Sequence, residues 1–274
     1  MNTKLKLCAV CLICLTSISC ATINRADNSG QSKLAGWELF WSDEFSGNTL
    51  DETTWSLCSR GRSDWNNTAS NYPRLIKLEN GVLRLRGIVN NGTNSDPAPY
   101  LTGAILSKGK FSYQYGKVQI RARFKCAQGA WPALWMMGEQ NGWPACGEID
   151  LMEHLNFDDI IYQTVHSEYT LRVDKTNTPK HGSTAAIERD KWNTYGCEWD
   201  ENKIVFTVNG EPTFTYPRVT EKGEKQWPFK QPFYFLFSMQ IGGDWVNANG
   251  DRPTIPDHYP AYMEVDWVRV YKSD

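Results

Sequence analysis

The sequence lacks the features that would place it among membrane-spanning, nucleic-acid-binding or zinc proteins. Its longest apolar run, residues 7–19 (LCAVCLICLTSIS), is too short to cross a bilayer as a helix. Basic residues form no cluster, and 29 Lys and Arg stand against 31 Asp and Glu, so nucleic acid is excluded as a partner. Beyond the first twenty residues no two cysteines form a C-x-x-C pair, and only four histidines are present, which argues against a zinc site. No long amphipathic helix can be traced; STAAIERDKW (183–192) is expected to give a turn or two at most. Aromatic residues, by contrast, are plentiful: 12 Trp, 12 Tyr and 11 Phe.

Lys4 and Lys6 precede the apolar run, which ends in SIS and Cys20. This start resembles a bacterial lipoprotein signal, in which the cysteine becomes the lipidated first residue of the mature chain; an ordinary secretory signal cut nearby is the alternative. The expectation is an exported cell-envelope lipoprotein, held to the outer membrane on its surface or periplasmic side by lipid on Cys20 alone. Release from the membrane fraction on Cys20→Ala is the test. Residues 21–35 read as a polar, flexible tether, and 36–274 as one domain, monomeric, with no second linker and no repeat. Cys58, Cys126, Cys146 and Cys197 remain in it. Their even number permits disulfides in an oxidising compartment, but no spacing dictates a pairing.

The dominant period of this domain is two. GKVQIRARFK (116–125) alternates Val118, Ile120, Ala122 and Phe124 with Gln119, Arg121, Arg123 and Lys125, as a half-buried strand does. LIKLENGVLRLRG and KIVFTVNGEPTFTYP each place two strand-like runs around Asn-Gly, a strong hairpin signal. FYFLFSMQI (233–241) and MEVDWVRVY (263–271) are apolar on both faces, as central strands of stacked sheets should be. The fold class that follows is all-β, an antiparallel β-sandwich.

Within this pattern CGEIDLMEHL (146–155) stands out, because it sets Glu148, Asp150 and Glu153 among apolar neighbours. On a strand Glu148 and Asp150 share one face, whereas Glu153 has the wrong parity. A β-bulge at Leu151–Met152 would return Glu153 to that face. The two glutamates would then be roughly 13 Å apart at Cα, given ~3.3 Å per residue. Side chains leaning inward would bring the carboxyl groups to about 5 Å, the separation used by retaining glycosidases. Carboxylates so crowded cannot all ionise cheaply, so their pKa values are driven apart. One glutamate can then attack an anomeric carbon, the other can protonate the leaving oxygen, and the aspartate between them can orient the first. A solvent-washed strand face carrying acids for solubility is the bland alternative.

The flanks decide between these readings. EIDLME resembles the catalytic signature of glycoside hydrolase family 16, endo-acting retaining β-glycanases with a jelly-roll fold and a curved cleft on the concave face. GAWPALWMMGE (129–139) is similar to the family's tryptophan-bearing strand before the catalytic one. The similarity extends from WSDEFSGNTLDETTW (41–55) through SKGKFSYQYGKVQIRARF (107–124) to VDWVRVY (265–271). By this resemblance Glu148 is the nucleophile, Glu153 the general acid/base and Asp150 the assisting residue. No cofactor is implied for the chemistry. Some members hold a structural calcium, and the matching positions are Glu44, Gly81 and Asp266, two of them offering only backbone carbonyls.

A polysaccharide cleft needs aromatic faces, since the C–H-rich face of a pyranose stacks on indole. Trp131 and Trp135 lie just upstream of the acidic strand, and Trp245 sits on the Gly-rich turn QIGGDW. His166 is expected on the following strand, near the leaving group, with Gln240 pointing into the same cleft. Each has an ordinary structural alternative, a core indole or a hydrogen-bonding histidine. The segments 64–87 and 165–182 depart from laminarinase-like members. They look more like a branch, found in gut Bacteroidetes, that cuts β-galactosidic bonds in host O-glycans and poly-N-acetyllactosamine. The expected activity is therefore an endo-β-galactosidase on a glycan or glycoprotein substrate. The alternatives are an endo-β-1,3- or mixed-linkage β-glucanase and, from another class, a non-catalytic glycan-binding lipoprotein.

Overall fold

Wherever the sequence alternates with period two, the chain is strand. The computed structural model of the protein describes residues 34–92 and 95–273. The signal, Cys20 and most of the tether lie outside these residues. In chain order the first strands are β1 (Trp37–Asp43), β2 (Ser56–Leu57), β3 (Ile76–Glu79), β4 (Val82–Val89), β5 (Tyr100–Thr102) and β6 (Ala104–Leu106). They continue as β7 (Ser112–Tyr113), β8 (Gly116–Lys125), β9 (Ala130–Gly138), β10 (Glu148–Glu153), β11 (Ile160–His166) and β12 (Gly182–Ala186). The last are β13 (Asn193–Trp199), β14 (Lys203–Val208), β15 (Glu211–Pro217), β16 (Phe233–Ile241) and β17 (Ala261–Ser273).

They form two antiparallel sheets. The first runs β15-β14-β13-β8-β17-β4-β3, with β1 on β17 and β5 on β4; the second runs β12-β11-β10-β9-β16-β6-β2, with β7 on β16. β17 and β16 are interior strands of their sheets, as their double-sided apolar patterns required. Both Asn-Gly pairs form the expected hairpins: Asn80 and Gly81 have φ of 55° and 73°, the two positive values that a tight strand-matching turn needs. The helical turn expected in 183–192 is absent. Gly182–Ala186 instead forms β12, an edge strand on β11, because pairing with an available ladder outweighs weak local helix propensity.

The core lies between the sheets. Val118, Ile120, Ala122 and Phe124 of β8 meet Leu134 and Met136 of β9, Ile149 and Leu151 of β10, and Phe233, Phe235 and Phe237 of β16. Each large buried ring stabilises the fold by on the order of 2–3 kcal/mol through lost water contact. Strand alternation sends the residues between them, Trp135, Met137, Glu148, Asp150 and Ser238, to the outer face of the second sheet, where a cleft opens.

The four remaining cysteines are free thiols, three buried and Cys126 half-buried, so none of the permitted disulfides forms.

Candidate active site

Rows of side chains crossing the second sheet build the cleft. Glu148 sits between His166 on β11 and Met137 on β9, Asp150 between Thr164 and Trp135, and Glu153 between Tyr162 and Ala133. Asp150 and Glu153 keep the same face because the register slips between them. Leu151 and Met152 together oppose a single residue of β11, which is the bulge that parity demanded. The cleft has a volume of about 530 Å³ and is lined by all three acids, His166 and five tryptophans, among other residues.

The three carboxyl groups differ in surroundings. Glu153 is buried, and burial together with the nearby charge of Glu148 pushes its pKa up to about 8, against a smaller opposing effect of the Trp131 N–H. That indole donates from Nε1 to Glu153 Oε1 at 3.1 Å. Asp150 is buried also, and its pKa lies well above the usual carboxylate range. Desolvation is the main cause, followed by the charges of Glu148 and Glu153 and a hydrogen bond shared with Glu148. Asp150 Oδ2 has no hydrogen-bond partner and lies 3.5 Å from His166 Nε2. Glu148 is half-buried and accepts a 2.5 Å hydrogen bond from Trp143 Nε1. The arrangement thus sets Glu153, which keeps its proton at neutral pH, across the row from Glu148, which is steadied by an indole donor. That is the division of labour a double displacement requires.

Aromatic rings surround this row. Trp135 forms the floor, with Nε1 donating to Ser238 Oγ at 3.2 Å and its ring edge-on to Trp65 at 4.9 Å. Beside Glu153, Trp245 stands nearly perpendicular to Trp131 and Tyr162, at 5.3 and 5.1 Å between centroids. Trp143 and Trp245 are more than two-fifths exposed, which leaves ring surface free for a sugar. Trp143 and Trp65 were not foreseen. Both sit in aperiodic loops, GEQNGWPACG and SDWNN, where the available signal was a tryptophan in a loop beside the acidic strand or at the start of an unusual segment.

Gln240, expected in the cleft, is buried beneath the 64–69 segment. Its Oε1 accepts from Thr68 Oγ1 at 2.9 Å and its Nε2 donates to Asn67 Oδ1 at 3.0 Å. Its strand parity is outward as expected, but a segment some 170 residues earlier covers it. Of the 165–182 stretch, His166 alone lines the cleft, whereas the earlier segment contributes Trp65.

Of the candidate calcium positions, Asp266, the carboxylate such a site would use, is held by Arg121. Glu148, Asp150 and His166 bring potential ligand atoms within 4.8 Å of one another. A tetrahedral zinc with bonds of ~2.0 Å wants its ligands closer, at about 3.3 Å.

A model of the glycosyl hydrolases, family 16, matches residues 63–269, the stretch that contains every cleft residue named above. The chain belongs to that family. A keratan-sulfate endo-1,4-beta-galactosidase of Sphingobacterium multivorum is 40% identical over 86% of this chain, which spans only 55% of that relative. A beta-glucanase of Rhodothermus marinus is 32% identical over 88% of this chain and 87% of its own length. Among solved structures, the family 16 endo-beta-1,3(4)-glucanase SCLam superposes with a TM-score of 0.76 at 28% identity, covering 88% of this chain and 93% of its own. A structure described with endo-acting O-glycanases of human gut microbes that initiate mucin breakdown is also similar. It covers 86% of this family 16 chain and 100% of its own, at 28% identity.

Proposed function

We propose that this family 16 protein is an endo-acting, retaining β-glycoside hydrolase that cleaves internal β-galactosidic bonds in host O-glycans or poly-N-acetyllactosamine. The observation that carries the chemistry is the bulged acidic strand, with Glu153 protonated at neutral pH and Glu148 facing the same cleft. In this reading Glu148 attacks the anomeric carbon while Glu153 passes its proton to the departing glycosidic oxygen, leaving a glycosyl ester on Glu148. Glu153, now a carboxylate, takes a proton from water as that water attacks the anomeric carbon of the ester and displaces the Glu148 carboxylate, so configuration is retained. Asp150 keeps Glu148 oriented through their shared hydrogen bond. Trp143, Trp135 and Trp245 offer indole surface to the sugar rings.

The galactosidic preference is supported by the 40% identical galactosidase relative and by the similarity to the O-glycanase structure. Trp65 of the 64–87 segment, which departs from laminarinase-like members, also reaches the cleft. A β-1,3- or mixed-linkage glucanase is the second reading, favoured by the beta-glucanase relative, which this chain matches along most of its length. A pure binding protein has no use for two buried acids whose ionisation is suppressed at a cost to stability.

Digestion of a substrate panel separates these readings. Gastric mucin O-glycans and keratan should yield oligosaccharides with galactose at the reducing end. Glucose oligomers from laminarin or barley β-glucan, with mucin and keratan untouched, would replace the galactosidase reading by the glucanase one. Binding without any hydrolysis would remove the enzyme reading altogether.

A further inference from the structure

Glu153 reaches the cleft only because β10 carries its bulge, so whatever holds the bulge also places Glu153. On the β9 side Asp150 faces Trp135 and Met152 faces Leu134, which leaves Leu151 as the extra residue. On the β11 side Leu151 and Met152 share Gln163. A bulge takes backbone groups off the ladder, and this one is sealed from water, since Leu151 and Met152 are fully buried. An unpaired carbonyl there would cost about 1–3 kcal/mol.

Gln163 supplies the missing partner. Its side chain points inward, between core residues Ile161 and Val165, and is fully buried. Nε2 donates to the Leu151 carbonyl at 3.1 Å and, more weakly, to the Thr207 carbonyl at 3.5 Å. Oε1 accepts from Thr213 Oγ1 at 2.5 Å. Thr207 and Thr213 belong to β14 and β15, in the opposite sheet. There the register slips as well: Phe206 faces Phe214 but Thr207 faces Pro212, so Thr213 is the extra residue of a second bulge. One buried amide therefore ties the irregularity of the acidic strand to an irregularity across the core. A glutamine at an inward core position is costly unless it is satisfied, and an aliphatic residue would fill the space. The polar group answers a need that only the bulge creates.

We infer that Gln163 is a positioning residue for Glu153. By holding the Leu151 carbonyl it fixes the extra residue, and with it the parity that turns the Glu153 carboxyl outward into the cleft. Gln163 touches no substrate and acts entirely through the backbone of β10. The inference rests on Glu153 being the proton donor of the proposed reaction.

Gln163→Met, close in volume but without donor or acceptor, and Thr213→Val, which removes only the far anchor, test it. Each is assayed by kcat/KM on the polymer that the wild-type enzyme cleaves and on a 2,4-dinitrophenyl β-glycoside of the same glycone. Departure of dinitrophenolate needs no proton. A displaced acid of ~1 Å should therefore lower the polymer rate of Gln163→Met by roughly 100-fold, while the dinitrophenyl rate stays within about threefold. The alkaline limb of the polymer profile should move to lower pH as Glu153 becomes better hydrated. Thr213→Val should show the same split, smaller in size. Equal losses on both substrates, or no loss, would overturn the inference. If Gln163→Met does not fold, Thr213→Val decides alone by the same criterion. Glu153→Gln is the control: unless it shows the split itself, the reading of Glu153 has failed rather than that of Gln163.

Discussion

At the scale of single residues, Glu153 carries the clearest linkage between environment and stability. In the unfolded chain it loses its proton near the ordinary value of 4.5, and in the folded chain only at about 8. Between these values the folded state binds more protons, so stability falls as pH rises across the window and levels off above it. Glu153→Gln keeps the shape and removes the equilibrium. Its melting temperature should match the wild type at pH 4 and gain an increasing advantage up to about pH 8, on the order of a few kcal/mol in stability. A difference that stays constant with pH would show that Glu153 is not suppressed by burial. Hydrolysis by the wild type should instead hold through that window and fade as pH rises through about 8, where the acid form is lost. Trp143 offers a second test. Trp143→Phe keeps a ring over the cleft but deletes the donor to Glu148. A hydrogen bond to a charged group contributes about 1.5–3 kcal/mol, so kcat should fall by roughly 10–100-fold while KM changes little. A raised KM with unchanged kcat would make Trp143 a sugar platform and nothing more. The acidic row was legible because three like charges on an apolar strand have few structural uses. Trp143 and Trp65 were not, because loops carry no period from which a side chain's direction can be read.

At the scale of elements, β10 is shaped by what stands immediately before it. Gly147 has φ of +79°, and a Cβ there would lie 2.8 Å from Pro228 Cγ and about 3 Å from the rings of Phe229 and Phe233. Gly147→Ala would force an L residue into the left-handed region against three packed neighbours. Such positions cost ~1–3 kcal/mol in backbone strain before any clash is counted. The variant should melt several degrees lower and lose activity, because Glu148 is the next residue. A melting temperature within a degree of wild type would mean that the loop adjusts freely. Period-two patterns and Asn-Gly turns made β3, β4, β8, β14 and β15 readable from the sequence, and parity required the bulge in β10 once Glu153 was assigned to the face of Glu148 and Asp150. The helical turn expected near 183–192 was a misreading of an edge strand. β12 has few core-facing residues, Ala185 alone being buried, so its sequence shows little alternation. Gln240 failed for a different reason. Parity gives the face of a strand residue but not what a distant segment lays over that face.

At the scale of the whole molecule, two sheets bury enough aromatic and aliphatic surface to hold the fold without covalent staples. Domains of this size bury around 70% of the surface their unfolded chains expose, and the interior rings of β16 meet those of Trp55, Tyr113 and Trp199. The β-sandwich class was legible for that reason: hydrophobic pattern fixes which faces must meet, whereas cysteine chemistry has no such signature. The thiols therefore carry a prediction of their own. Thiolate is the form that oxidants attack, and burial pushes the thiol of Cys58 up to about 11 and that of Cys126 up to about 12. Desolvation raises Cys146 and Cys197 too. The domain can thus keep all four reduced even in surroundings that favour disulfides. The domain from residue 36 onward should melt at the same temperature with and without excess dithiothreitol. Ellman's reagent should react slowly with the native fold, reaching Cys126 first because it alone is half-exposed, and should find four thiols once the chain is unfolded. A melting temperature that drops on reduction, or fewer than four thiols after unfolding, would reveal a cross-link and refute the account in which packing alone holds the two sheets together.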